Sequence, residues 1–268
     1  MEFETIRFEE PEPGIGLLTY NRPDRLNAVS LGMLDDLYTL FHHLRENLEV
    51  RVLVITGAGR GFSSGADLKD ERMMSEEGRR LFSSASIHLE AVQKKYSGVI
   101  LEMRRIPQPI IAAVNGHAAG AGLCFALASD VIIAGPRAAF TPSFVNIGLS
   151  AGELGTSYFL PKMVGAARAA EIMMTGRTVG PVEAERIGLV SRLVDDEDKL
   201  MATALDTART MLGKSQLGLR MTKEVLYLNL NAPSLEAAVE LENRNQSITS
   251  CAPEFFAAVE NFVKKSRK

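Results

Sequence analysis

The chain has 268 residues, 46% of them hydrophobic and 24% charged, with a formal net charge of −3. That length holds one α/β domain with an appendage, or two small domains, and a core that needs neither disulfides nor metals. The balance excludes a global positive field for nucleic acid or an anionic membrane, and no apolar run approaches the roughly 20 residues of a membrane span.

The two cysteines, Cys124 and Cys251, lie far apart and match no metal-ligand spacing, so both are read as reduced thiols. The N-terminus is acidic and lacks a signal-peptide core, and a soluble, cytoplasmic protein is expected. Strand-like patterns cover Phe3–Phe8 and Ile15–Tyr20, separated by Pro-Glu-Pro-Gly. From Ser30, a candidate N-cap, apolar residues at Leu34, Leu37, Phe41, Leu44 and Leu48 predict one face of an amphipathic helix.

The runs Val52–Thr56, Ile110–Val114 and Val131–Ala134 are apolar at consecutive positions, as in strands buried on both faces. Helical patterns between them predict an α/β fold with largely parallel pairing. Lys69–Arg80 is charged and weakly periodic, and reads as a mobile segment or an exposed helix. Pro181–Gly188 predicts a short helix ended by glycine, followed by a strand over Leu189–Val194. After Asp195–Asp198 the pattern is helical to the end. The expected organisation is an α/β core over residues 1–198 and a helical region over 199–268.

Two turns rich in small residues follow strands: Gly61-Phe62-Ser63-Ser64-Gly65-Ala66-Asp67-Leu68 and Asn115-Gly116-His117-Ala118-Ala119-Gly120-Ala121-Gly122. Small residues let backbone approach a ligand, and a following helix offers free amides to negative charge. Neither turn fits a nucleotide fingerprint: the second lacks the third glycine of the dinucleotide motif, and no phosphate-binding lysine follows either.

Taken together, NRPDRLNAVS, VLVITG, GRGFSSGADL, PQPIIAAVNGHAAGAG, SDVIIAGPRAAF and GRTVGPVEAERIGLVSRLV resemble, in order and spacing, the crotonase (enoyl-CoA hydratase/isomerase) superfamily. The resemblance spans essentially the whole chain. It implies a crotonase-like spiral of repeated ββα units and a helical C-terminal trimerisation region, assembled as a homotrimer or as a hexamer formed from two trimers. It also implies an acyl-CoA thioester substrate, with coenzyme A brought by the substrate and no prosthetic group or metal. The thioester oxygen would lie between the backbone amides of Ala66 and Ala121. Arg25, Leu26, Ala28, Ser64, Ala66, Asp67 and Leu68 match the family's CoA-contacting wall, and Lys265 resembles a lysine that reaches the CoA phosphates.

Hydratases of this family use two glutamates, and here Cys124 and Phe144 occupy those positions. Phenylalanine has no proton to exchange, and a cysteine in an apolar helix is inert. Glu153 is the remaining nearby carboxylate. It is expected to move a proton between the α- and γ-carbons of the acyl chain, to cap the helix that starts near Thr156, or to sit in an ion pair. His117 is expected to pack beside its turn, Asp67 to brace its loop, Asp130 to end a helix, and Asp70 and Glu71 to be solvated. The activity expected is enoyl-CoA isomerisation or an atypical hydration. The alternatives are another reaction of the superfamily, such as thioester hydrolysis or decarboxylation, and a CoA-binding scaffold without chemistry.

Overall fold

A computed structural model describes residues 1–266 of the chain. Strands β1 (Ile6–Glu12) and β2 (Ile15–Tyr20) form an antiparallel pair with a register shift between Glu9 and Glu12. The first strand thus begins later than its apolar pattern suggests and continues through Pro11, which an edge strand tolerates. Helix α1 (Leu31–Glu46) starts where predicted, the Ser30 hydroxyl accepting from the Met33 amide at 3.1 Å.

The chain then makes three rounds. In the first, β3 (Val52–Gly57) and β4 (Gly61–Ser63) lead into the short helices α2 (Glu71–Met74), α3 (Glu76–Arg80) and α4 (Ala85–His88). One π-helical turn, Leu89–Gln93, then joins α4 to α5 (Lys94–Arg105). The second round is β5 (Ile110–Val114), β6 (His117–Ala119) and α6 (Ala121–Leu127). The third is β7 (Val131–Ala134), β8 (Ala139–Thr141), α7 (Thr156–Val164), α8 (Ala166–Thr175) and α9 (Pro181–Arg186). Strand β9 (Arg192–Leu193) closes the series, shorter than the expected Leu189–Val194, because Leu189 and Val190 fold back to donate to the Ala184 carbonyl of α9.

Each round contributes one strand to each of two sheets. The larger has the order β1-β2-β3-β5-β7-β9 and is parallel from β2 onward; the smaller, β4-β6-β8, is parallel throughout. This is the spiral of ββα units that the sequence motifs imply. Helices α10 (Glu197–Leu212), α11 (Gln216–Asn229), α12 (Leu235–Ser250) and α13 (Pro253–Ser266) complete the described chain.

The large sheet is buried on both faces, which explains its uninterrupted apolar runs. On one face Leu53, Ile55, Ile110 and Ala112 join the core built with α1, α5 and α6. On the other, Val52, Val54, Ile111 and Ala113 pack against Leu200, Ala204 and Ala208 of α10. Alanines at those helix positions let α10 lie close to the strands. No helix of the described residues is long and apolar enough to cross a membrane.

A buried ion cluster ties α11 to this core. Lys223 is 8% exposed, and its Nζ lies 3.0 Å from Asp130 Oδ2 and donates to the Gln108 carbonyl at 2.7 Å. Asp130 also accepts from the Ile110 amide at 2.7 Å and from Arg104 at 3.0 Å, so it anchors β5 and an ion network rather than merely ending α6. The guanidinium of Arg104 stacks 3.2 Å from the Tyr227 ring centre. Burial outweighs the attraction of Asp130 and holds the Lys223 ammonium below the usual lysine pKa. Replacing Lys223 leaves the Asp130 carboxylate to Arg104 and the Ile110 amide and removes the donor to the Gln108 carbonyl. Lys223→Met is expected to cost about 1–3 kcal/mol of stability, read as a lower urea midpoint.

Candidate active site

The first small-residue turn is shaped by a neighbour far away in sequence. Leu26 and Asn27 both adopt left-handed backbone (φ 50° and 54°), which turns the chain so that Asn27 points inward. Its buried side-chain amide donates to the carbonyls of Ala58 and Gly61 at 2.9 and 2.8 Å. Ser63 donates back to the Asn27 carbonyl at 2.8 Å. Val29 then pairs with the turn: its amide donates to the Gly65 carbonyl at 2.8 Å, and its carbonyl accepts from the Asp67 amide at 2.9 Å.

Those two bonds bracket Ala66 in a parallel bridge, so the Ala66 amide faces away from Val29. The presenting device here is a β-bridge. The expected helix dipole is not involved, because the next helix, α2, starts only at Glu71 and has four residues. The second turn does follow the expected pattern. Ala121 is the first residue of α6, its amide has no intrahelical acceptor, and every residue of that helix is buried.

Close contacts bring the two turns together. A β-carbon placed on Gly122 would lie 2.4 Å from the Ser63 carbonyl oxygen, so the first turn of α6 is pressed against β4. One placed on Gly65, where φ is +93°, would lie 2.8 Å from the Ala119 carbonyl oxygen and 3.3 Å from the Ala121 nitrogen. The two turns therefore meet backbone to backbone, with Ala121 buried at the start of α6 and Ala66 exposed.

Glu153 is joined to the second turn through Cys124. Cys124, one helical turn beyond Ala121, directs its thiol at the Glu153 carbonyl oxygen (3.7 Å) and the Thr156 hydroxyl (3.1 Å). Burial pushes the Cys124 thiol up to about 12, so it stays protonated and serves as a packing and hydrogen-bonding group. Phe144 is buried against Gly120. Glu153 does not cap α7: the N-cap is Gly155, and what Glu153 gives that helix is its backbone carbonyl, 2.8 Å from the Thr156 amide. Its half-buried carboxylate accepts, on Oε1, from the Leu154 amide at 3.1 Å and from the side-chain amide of Gln93. Leu154, held at φ 45°, turns into a cleft of about 410 Å³ lined also by Ile100, Leu101, Arg104, Tyr158 and Tyr227.

Arg25 and Leu26 are exposed, Ala28 is buried, and Ser64 is fastened to the same loop through its amide, 3.0 Å from the Leu26 carbonyl. Asp67 is nearly buried, pairs with Arg22 at 2.8 Å and accepts from the Lys69 amide, so it braces the loop as expected, whereas Leu68 is exposed. Lys265 has its side chain outside the described part of the chain. His117 bonds to the Thr141 hydroxyl at 2.7 Å, and burial lowers its pKa, keeping the ring neutral and structural.

Asp70 departs from expectation. It is only 5% exposed, caps α2 and accepts from the Leu31 amide at 2.6 Å, because the start of α1 buries it. Sequence reasoning missed Gln93, Asn27 and Tyr96, whose hydroxyl donates to the Val29 carbonyl at 2.8 Å. Each acts through a partner dozens of residues away, and no local spacing marks them.

A spiral of this topology with two closely packed small-residue turns narrows the class of protein, and comparison with known proteins assigns the chain within it. The family model for enoyl-CoA hydratase/isomerase matches residues 10–268. A probable enoyl-CoA hydratase of Mycobacterium tuberculosis is 45% identical over 244 residues, covering 90% of this chain and 83% of that protein. The solved structure of a probable enoyl-CoA hydratase/isomerase from Mycobacterium abscessus is 36% identical with a TM-score of 0.87, covering 98% and 96% of the two chains. That of a monofunctional enoyl-CoA isomerase from Mycobacterium smegmatis is 43% identical with a TM-score of 0.73, covering 88% and 98%.

The chain belongs to the enoyl-CoA hydratase/isomerase family. It is an enzyme of that family acting on an acyl-CoA thioester. In Gly65→Ala the added methyl strains the left-handed turn and enters the space beside Ala119 and Ala121. If the Ala66 amide serves the thioester oxygen, as the family resemblance implies, a kcat loss on the order of 10²–10³ is expected in a thioester assay.

Proposed function

We propose that the chain is an enoyl-CoA isomerase that moves a double bond along the acyl chain, with Glu153 as its single acid–base group. In this reading the thioester oxygen sits between the amides of Ala66 and Ala121. Glu153 takes a proton from C2 of a 3-enoyl-CoA, the electrons pass through C2 to the thioester oxygen, and a dienolate forms. The same carboxyl returns the proton to C4, leaving a 2-enoyl-CoA. No water is added and nothing is oxidised. The two amides matter most when the charge is on the oxygen, so they lower the barrier more than they tighten substrate binding.

The observation that carries this reading is the half-buried Glu153 carboxylate, tied through Cys124 to the helix that begins at Ala121, where hydration would ask for two acid–base groups. Cys124 is locked as a protonated thiol and Phe144 is hydrocarbon, so neither supplies the second. The resemblance to the mycobacterial isomerase supports the same choice. The cleft beyond Leu154 offers apolar room for an acyl chain that continues past the reacting carbons.

With 2-enoyl- and 3-enoyl-CoA substrates of several lengths, the wild type is expected to convert the 3-enoyl series. Glu153→Gln should reduce kcat by about 10²–10⁴ with little change in KM. Equal turnover by the variant would remove Glu153 from the chemistry. Silence in both, with CoA thioesters still bound, would favour a scaffold, and release of free CoA would favour hydrolysis.

We also propose that the helical region 199–268 mediates assembly into a trimer or a hexamer of two trimers. Leu226, Leu228, Leu230, Leu235, Val239 and Ile248 are exposed on these helices, more apolar surface than an isolated subunit favours. Light scattering should give three or six times the 29.2 kDa chain mass, and a monomeric mass would overturn the assignment.

A further inference from the structure

Gln93 reaches Glu153 across 60 residues of sequence, and its placement has a specific backbone cause. The turn Leu89–Gln93 is π-helical, with the Lys94 amide donating to the Leu89 carbonyl five residues back. Such a turn carries one residue more than the α-helical repeat, so it rotates α5 relative to α4, and π-turns concentrate at functional positions. On either side of Gln93, Val92 is buried in the core and the Tyr96 hydroxyl is tied to the Val29 carbonyl. The amide side chain therefore projects from a backbone fixed on the same residue, Val29, that presents the Ala66 amide.

At Glu153 the donors are unevenly shared. Oε1 accepts from both the Gln93 side chain and the Leu154 amide, and among the described residues Oε2 accepts no hydrogen bond. A carboxylate held by two donors on one oxygen has its plane and rotamer set, and its other oxygen remains available to a proton on the substrate. Leu154 alone would leave the carboxylate free to swing about its bonds.

We infer that Gln93 is a positioning residue that orients the Glu153 carboxylate so that Oε2 carries the proton between C2 and C4. This rests on Glu153 being the acid–base group. Gln93 touches no reacting atom, so its contribution lies in kcat and leaves substrate binding unchanged.

The test compares Gln93→Met, Gln93→Glu and Glu153→Gln in the full-length protein, with a 3-enoyl-CoA as substrate. Methionine keeps the length of the side chain and removes the donor. Gln93→Met is expected to lose about 10- to 100-fold in kcat, the scale of one hydrogen bond to a charged group, with KM and the urea midpoint unchanged. Gln93→Glu should lose more at pH 8 than at pH 5.5 relative to wild type, because only a protonated carboxyl at position 93 can donate. If Glu153→Gln is inactive while Gln93→Met keeps wild-type kcat, the positioning role is wrong and the Glu153 assignment stands. If Gln93→Met loses activity in step with a fall in its urea midpoint, the contact is structural and the proposal is overturned. Wild-type turnover by Glu153→Gln would bring down both.

Discussion

The amide and carbonyl of Val29 are engaged by the turn on either side of Ala66, and the site depends on that pairing. Both flanking bonds form, at 2.8 and 2.9 Å, so the amide between them faces away from Val29. Reaching this arrangement requires the strained loop before it. Two consecutive left-handed residues, Leu26 and Asn27, are uphill for non-glycine side chains, and the buried hydrogen bonds around Asn27 and Val29 hold them. The segment expected from its motif to contact CoA is thus also the clamp that sets the first amide donor.

The second donor is held differently. Helix α6 is short and wholly buried, and its position comes from packing rather than from hydrogen bonds to a distant loop. Glycine at 122 brings its first turn against β4, and Cys124 ties its far side to the start of α7. A glutamate at position 124 would need a partner in this dry pocket. The cysteine instead satisfies its weak donor on the Glu153 carbonyl and helps fix the turn before α7.

Much of this was legible in the chain because the signals are local. Consecutive apolar residues marked β3, β5 and β7, and Ser30 marked the start of α1, whereas Ala66 and Ala121 were singled out only through the family resemblance of their turns. The ends of β1 and β9 were not legible, since strand limits depend on which neighbour supplies the next hydrogen bond. The misplacement of Asp70 has the same origin: nothing near it in sequence shows that the Leu31 amide will reach it. Gln93 was invisible for a further reason. A π-turn leaves no compositional trace, and without the extra residue the helical pattern would point that side chain elsewhere.

The packing of α10 has a consequence for how the chain becomes a folded protein. Every strand of the large sheet has been synthesised by Leu193, yet one side of that sheet is covered by residues that come later, from Leu200 to Ala208. A nascent chain that stops short of α10 holds a complete sheet with a bare apolar side, and that surface is prone to association with other chains. Productive folding on the ribosome must therefore wait for α10 to emerge, and the last third of the polypeptide takes part in the birth of the core.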